Sequence, residues 1–161
     1  MSVVPRIETR RDLRSRAVDI LEELCYRAEV RYGVPIPFVP TVVISPLRRS
    51  YAKIVFKYKA AAPVIRVSRM FLDFYRVDAI YADKVLRFVL AHEIGHLIQR
   101  KQAGLGVLML SHPLALEANA HEIAEHLSEI SFEDFREMVL ELHRKAGHMS
   151  QAIEILRTYQ I

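Results

Sequence analysis

Two histidines stand four residues apart in the segment LAHEIGHLIQ, and a glutamate directly follows the first of them. Residues four apart on a helix lie on the same face, so His92 and His96 can direct both imidazole rings at one cation. Glu93 lies about 100° further round such a helix, where its carboxylate can reach a water molecule beside that cation. Neutral imidazole is a good zinc ligand, and zinc lowers the pKa of its water toward 7. The spacing therefore predicts a hydrolytic Zn²⁺ site in which Glu93 is the general base.

A catalytic zinc site uses three protein ligands and leaves one position open, so a third ligand must lie elsewhere in the chain. The segment HPLALEANAHEIAEHLSEI predicts a second helix with its apolar side inward, on which Glu117 follows His96 by 21 residues. Glu117 is the favoured third ligand. His121 lies one turn further on the same face and is either an alternative ligand or a partner that orients one of the ligands. The other nearby candidates are His112, Glu122, Glu125 and His126.

A strand pattern precedes the segment with the two histidines. Within residues 51–59 an apolar series alternates with lysines, which predicts a half-buried strand at the edge of a sheet, where lysines discourage further pairing. The apolar series is Ala52, Ile54, Phe56 and Tyr58, and the lysines are Lys53, Lys57 and Lys59. A short strand, PVIRVS, follows.

Helical spacing of apolar residues accounts for most of the remaining chain. The predicted helices are 9–32, a short helix from Ser68 as N-cap to about Tyr75, 82–102 with its end at Gly104, 113–129, a helix capped by Ser131 and ended by Gly147, and 150–159. The order of one helix, two or three strands and then helices predicts an α+β fold. We expect a small mixed or antiparallel sheet packed on the helix that carries His92, followed by a helical C-terminal half.

The 161 residues predict a single domain, in which 1–40 form a helix and proline-rich connector, 41–103 the sheet and the motif helix, and 104–161 the helices that include the third ligand. One cysteine, Cys25, cannot form an internal disulfide. No apolar run has the length of a membrane span or, at the N-terminus, of a signal peptide. These features together favour a cytoplasmic protein.

Charge is unevenly distributed along the chain. Residues 1–59 contain 12 Lys and Arg against 6 Asp and Glu, a balance of +6, whereas residues 60–161 contain 11 against 13, a balance of −2. A basic N-terminal half is compatible with a nucleic-acid surface. The interleaved acids, among them Asp12 and Asp19, favour instead a solvated helix face.

The segments VLAHEIGHLI and EANAHEIAEHL together resemble the gluzincin metallopeptidases, in particular the ImmA/IrrE-like group and the minigluzincins. The stretch YAKIVFK, followed by VIRVSRMFLDF, resembles the strands and helix that precede the active-site helix in these proteins and in SprT-like relatives. The similarity covers roughly residues 50–128. It implies that His92, His96 and Glu117 are the zinc ligands, that Glu93 is the base, and that the edge strand 51–59 holds an extended peptide or protein substrate by backbone pairing.

The chain departs from this family at two points. Gluzincins commonly place an acid four residues after the glutamate ligand, and this chain has His121 there. No single residue stands out as the group that would stabilise an oxyanion; His112, His143, His148 and Tyr159 are all open. The resemblance also raises the possibility of a C-terminal segment that covers the cleft, although a helix packed on the core is the favoured interpretation of residues 151–161.

Three functional hypotheses follow from the sequence. The favoured one is a zinc-dependent peptidase. The alternative is a regulatory or DNA-associated protein of the same fold with narrow or no peptidase activity. The third is a helical interaction module in which the HExxH motif is accidental.

Overall fold

The computed structural model describes residues 4–56, 62–110 and 112–159, without the side chains of 103–110, 158 and 159. Its described part is α+β, as predicted, with helices around a three-stranded mixed sheet. The elements are α1 Arg10–Tyr32, β1 Thr41–Ser45, β2 Ala52–Val55, β3 Val64–Ser68, α2 Met70–Val77, α3 Ala79–Leu110, α4 Pro113–Ser128, α5 Phe132–Ala146 and α6 Met149–Tyr159. No helix in the described ranges combines the length and apolar character needed to cross a membrane.

Local signals set the ends of several helices where the sequence predicts them. Thr9 forms a capping box with Asp12 at the start of α1, and Gly33 ends that helix with a φ of 63°. Ser131 accepts a hydrogen bond from the backbone N–H of Asp134 and so caps α5, which ends at Gly147 with a φ of 78°. These two glycines occupy the left-handed region that favours a residue without a side chain.

The strand β2 is at the edge of the sheet, as predicted, because the strand order is β1-β3-β2. It pairs antiparallel with β3, which pairs parallel with β1. The carbonyl of Tyr51 accepts a bond from the N–H of Ser68 on the β3 side. Because backbone groups alternate in direction along a strand, those of Ala52 and Ile54 point toward the open edge. The predicted continuation through Lys57, Tyr58 and Lys59 lies outside the described residues.

Helix α3 lies at the centre of the molecule. It contacts α1, α2, α4, α5 and β2, and its buried apolar side chains are distributed around the helix. Where α4 crosses it, a Cβ on Gly95 would lie 3.2 Å from the Cα and from the carbonyl oxygen of Ala120. Helix α4 therefore passes close to Gly95, and this contact brings the two candidate ligand helices together.

Two predicted boundaries are wrong. Helix α3 does not end at Gly104 but continues to Leu110. A glycine inside a helix costs about 1 kcal/mol, which a long helix can absorb. Ser68 is not the N-cap of α2, because it is still paired with Ser45 in the sheet; Arg69 is the N-cap, and the Ser68 hydroxyl accepts a bond from the N–H of Met70.

A buried polar pair fixes the start of the edge strand. Tyr51 is fully buried, and its hydroxyl lies 2.8 Å from Nε2 of His143, which is also fully buried on α5. Phe71, Phe74 and Phe135 surround the Tyr51 ring at centroid distances of 6.3 to 6.4 Å. Burial and the neighbouring His148 lower the pKa of His143 to about 4, so this ring is neutral at pH 7.

Substituting Gly95→Ala tests the close approach of α3 and α4. Helix propensity alone favours alanine by about 1 kcal/mol. Because the new methyl group meets the backbone of Ala120, we expect the free energy of unfolding to fall, by about 1 kcal/mol net. Urea denaturation measures this, with Lys101→Ala, at an exposed position of the same helix, as the matched control. A more stable G95A protein would contradict the described contact.

The neutral state of His143 predicts acid sensitivity. Its pKa of about 4 in the folded protein is below the ordinary value near 6.5, so the unfolded chain binds the proton first. The stability that this difference contributes is complete above pH 6.5 and is lost as the pH falls toward 4. The variant His143→Gln keeps a polar partner for Tyr51 but cannot titrate in this range. Urea midpoints between pH 7 and pH 4 should fall less steeply for H143Q than for the native protein, and identical slopes would contradict the assignment.

Candidate metal centre

The structure brings the two motif histidines and the predicted third ligand together. The Nε2 atom of His92 lies 3.1 Å from one carboxylate oxygen of Glu117, and the Nε2 atom of His96 lies 3.1 Å from the other. The rings of the two histidines are perpendicular, with centroids 4.8 Å apart. His92 is buried, whereas His96 and Glu117 are partly exposed, so one side of the cluster remains open to solvent.

The two histidines hold the Glu117 carboxylate in its ionised form. Burial raises the pKa of Glu117, but the hydrogen bonds to His92 and His96 and the charges of these rings outweigh it and hold that pKa far below its usual range. Burial lowers the pKa of His96, yet the hydrogen bond to Glu117 and the charge of Glu93 turn the net shift upward. An ionised carboxylate therefore faces two imidazole nitrogens. Two nitrogens and a carboxylate are a donor set that fits zinc.

Glu93 projects from α3 to the edge strand. Its Oε2 accepts a hydrogen bond of 2.9 Å from the backbone N–H of Ile54. Burial raises the pKa of this carboxyl, although the charges of His92 and His96 oppose the shift. A raised pKa suits a group that must accept and return a proton near neutral pH.

Gln99 takes part in the cluster, and the sequence reasoning did not identify it. Its Oε1 lies 3.0 Å from Nδ1 of His96, while its Nε2 donates to the carbonyl of Leu116 at 2.7 Å and to the side-chain oxygen of Asn119 at 3.0 Å. Because Oε1 can only accept a hydrogen bond, this contact favours the tautomer of His96 that has its proton on Nδ1. The Nε2 atom of the neutral ring then has a lone pair that can bind a metal ion. Its position three residues after His96, on the same helix face, was the available signal.

His121 also belongs to the cluster. Its ring centroid is 4.8 Å from that of His92, and one ligand atom from each of His92, Glu117 and His121 lies within 4.8 Å of the others. Burial, with the charge of His92 second, lowers the pKa of His121 to about 4, so the ring is neutral. The described residues therefore present two overlapping ligand sets, which share His92 and Glu117 and differ in His96 or His121.

The remaining candidate ligands have other partners or positions. His112 caps α4 by accepting from the N–H of Leu114, and Glu125 accepts from the N–H of Phe132. His126 lies beside the hydroxyl of Tyr32, and Glu122 is exposed.

Of the candidates for oxyanion stabilisation, His112, His143 and His148 do not line the cleft between β2 and the metal cluster. His143 pairs with Tyr51, and His148 lies 3.7 Å from a carboxylate oxygen of Asp73. The side chain of Tyr159 lies outside the described residues. The described part of the C-terminal segment packs on α5 through Ala152, Ile155 and Leu156, as the favoured interpretation expects.

A cleft of about 520 Å³ joins the metal cluster to the edge strand. One wall is formed by β2 and its flanks and the other by α3 and α4. The lining residues are Ser50, Ala52, Lys53, Ile54, Phe56, His92, Glu93, His96, Gln99, Leu116 and Glu117. The predicted ligands, the predicted base and the predicted substrate strand therefore share one cleft.

No protein-family model, curated protein or solved structure matches this chain.

Gln99→Leu tests the role of the glutamine in orienting His96. Without the Gln99 carbonyl, nothing fixes the orientation and the tautomer of the His96 ring. Zinc affinity should therefore fall about 10- to 100-fold. Competition with a chelating dye measures the affinity. Gln99→Glu restores an acceptor for Nδ1 and should recover part of it, while Lys101→Ala should leave it unchanged. An unaltered affinity in Q99L would show that the contact does not position the ligand.

Proposed function

We propose that this protein is a zinc-dependent metallopeptidase of the zincin type, related to the gluzincins, with His92, His96 and Glu117 as ligands and Glu93 as the general base. The observation that carries the proposal is the Glu117 carboxylate, which bridges the Nε2 atoms of His92 and His96 at 3.1 Å on each side. Residues from two helices converge there on one point, in a cleft that also contains Glu93 and an unpaired strand edge.

Each part of the cleft has a chemical task in peptide hydrolysis. Zn²⁺ held by this donor set would supply a Lewis acid that polarises a carbonyl and acidifies water. Glu93 lines the same cleft as the ligands, and its carboxylate would take a proton from that water and return it to the departing amine. Gln99 fixes the orientation of His96.

The open edge of β2 supports an extended peptide as the substrate. The backbone groups of Ala52 and Ile54 point to this edge and can pair with a peptide that adds as a further strand. In the structure the N–H of Ile54 is taken by Glu93. A substrate that uses this N–H therefore releases the Glu93 carboxylate from the strand as it binds.

His121 favours one alternative. If this ring joined His92, His96 and Glu117, the site would have four protein ligands, which is the arrangement of a closed structural zinc site. Such a site would fit a regulatory or DNA-associated protein without peptidase activity. The three-ligand set is favoured because both oxygens of Glu117 are engaged by His92 and His96, and because Glu93 lines the same cleft.

Three variants distinguish these functions. Glu93→Gln should bind one zinc per chain but lower the rate of peptide hydrolysis by about 10² to 10⁴-fold, because it removes only the base. His92→Ala should lose both the metal and the activity. His121→Asn should retain both if three ligands suffice.

Metal content measured after purification without added zinc, together with cleavage of an unstructured protein such as casein, provides the readouts. Glu122→Gln, at an exposed position of α4, is the matched control for E93Q. Zinc lost from the His121→Asn variant, together with no hydrolysis by the native protein, would favour the closed site. Absence of stoichiometric metal in the native protein would contradict both functions.

A further inference from the structure

We propose that the cleft selects peptides with an acidic side chain two or three residues to the N-terminal side of the cleaved bond. Arg100 is the residue that recognises it. This inference rests on the proposed peptidase function, and it names the substrate class of that site.

Two cations border the cleft: Lys53 is on the β2 wall, and Arg100 is on α3, one turn after His96. Lys53 lines the cleft and is exposed. Arg100 holds its guanidinium over the ring of Phe56, which also lines the cleft, at 4.3 Å from the ring centroid. Within the described ranges neither cation forms an ion pair, whereas many other cations there do, among them Arg16, Arg27, Arg76, Arg87, Arg144 and Lys145.

The acids of the cleft form no ion pair with these cations. Glu117 is engaged by both histidines, and Glu93 by the N–H of Ile54. Lys53 and Arg100 together match the charge of Glu93 and Glu117. A bound Zn²⁺ ion would add two positive charges, which an anionic ligand can balance.

Stacking on Phe56 orients the Arg100 guanidinium so that it can bind a carboxylate. The ring of Phe56 covers one face of the guanidinium, while the N–H groups lie in the guanidinium plane and remain available at its edges. Arg can bind a carboxylate through two parallel hydrogen bonds, which gives a directional contact that a lysine cannot provide.

The position of the acidic residue follows from the spacing of Arg100. Arg100 is one turn beyond His96 on the same face of α3, an axial distance of about 6 Å. An extended peptide advances about 3.3 Å per residue, so the side chain that meets Arg100 is about two residues from the metal centre. Along β2 the chain runs from Ile54, beside Glu93, toward Phe56, beside Arg100. A peptide added antiparallel to β2 therefore has its N-terminal side at Arg100.

Binding of peptides to the zinc-loaded E93Q protein tests the selection without requiring hydrolysis. The probes are fluorescent peptides that are identical except for Glu, Gln or Lys at one of the four central positions. Fluorescence anisotropy should show Glu favoured over Lys at least tenfold at one position. Arg100→Glu, in the E93Q background, should abolish or reverse this preference while metal content stays at one zinc per chain.

Lys101→Glu is the matched control, because it reverses the neighbouring charge on an exposed part of the same helix, and it should leave the preference intact. Cleavage of the same peptides by the native protein forms a separate arm. A preference in binding without any cleavage would support the acidic-peptide site and overturn only the peptidase function. Equal binding of Glu, Gln and Lys peptides would overturn the selection. So would a charge reversal that weakens binding to duplex DNA and leaves peptide preference unchanged.

Discussion

One carboxylate holds the candidate site together. Glu117 meets the imidazoles of His92 and His96 at 3.1 Å each, and this contact is possible only because α4 crosses α3 at van der Waals distance. Gly95 lies at that crossing, one residue before His96, and a larger side chain would meet the backbone of Ala120. Gly95 thus allows α4 to pack closely on α3, and this close packing brings Glu117 to the two histidines.

The site also shows how a protein stabilises ionisable groups in its interior. Burial alone favours a neutral Glu93 and a neutral His96, since charge is costly to remove from water. Specific partners oppose this effect: Glu117 acts on the two imidazoles and Gln99 on His96, while the charges of His92 and His96 and the N–H of Ile54 act on Glu93, whose pKa stays raised. These partners belong to β2, α3 and α4. The ligands are therefore oriented by the same contacts that join the sheet to the helices.

Much of this arrangement follows from the sequence because it is encoded locally. The capped ends of α1 and α5, the edge position of β2 and the convergence of His92, His96 and Glu117 all follow from periodicity, capping residues and spacing. The extension of α3 beyond Gly104 and the role of Gln99 were not predicted, because both depend on context that single-residue signals do not contain. Gln99 gains its role only when α4 supplies Leu116 and Asn119 as acceptors. His121 remained ambiguous for the same reason, since its distance to His92 is set by the crossing of two helices.

X-ray absorption spectroscopy of the zinc-loaded protein tests the central claim most directly, because it counts imidazole and oxygen ligands at the metal. The account predicts one zinc with two imidazole nitrogens at about 2.0–2.1 Å and oxygen ligands at about 2.0–2.2 Å, one of them from Glu117. The variant Glu117→Ala should lose that signal together with the metal. A spectrum with three imidazole ligands, or a protein that binds no zinc, would contradict the account.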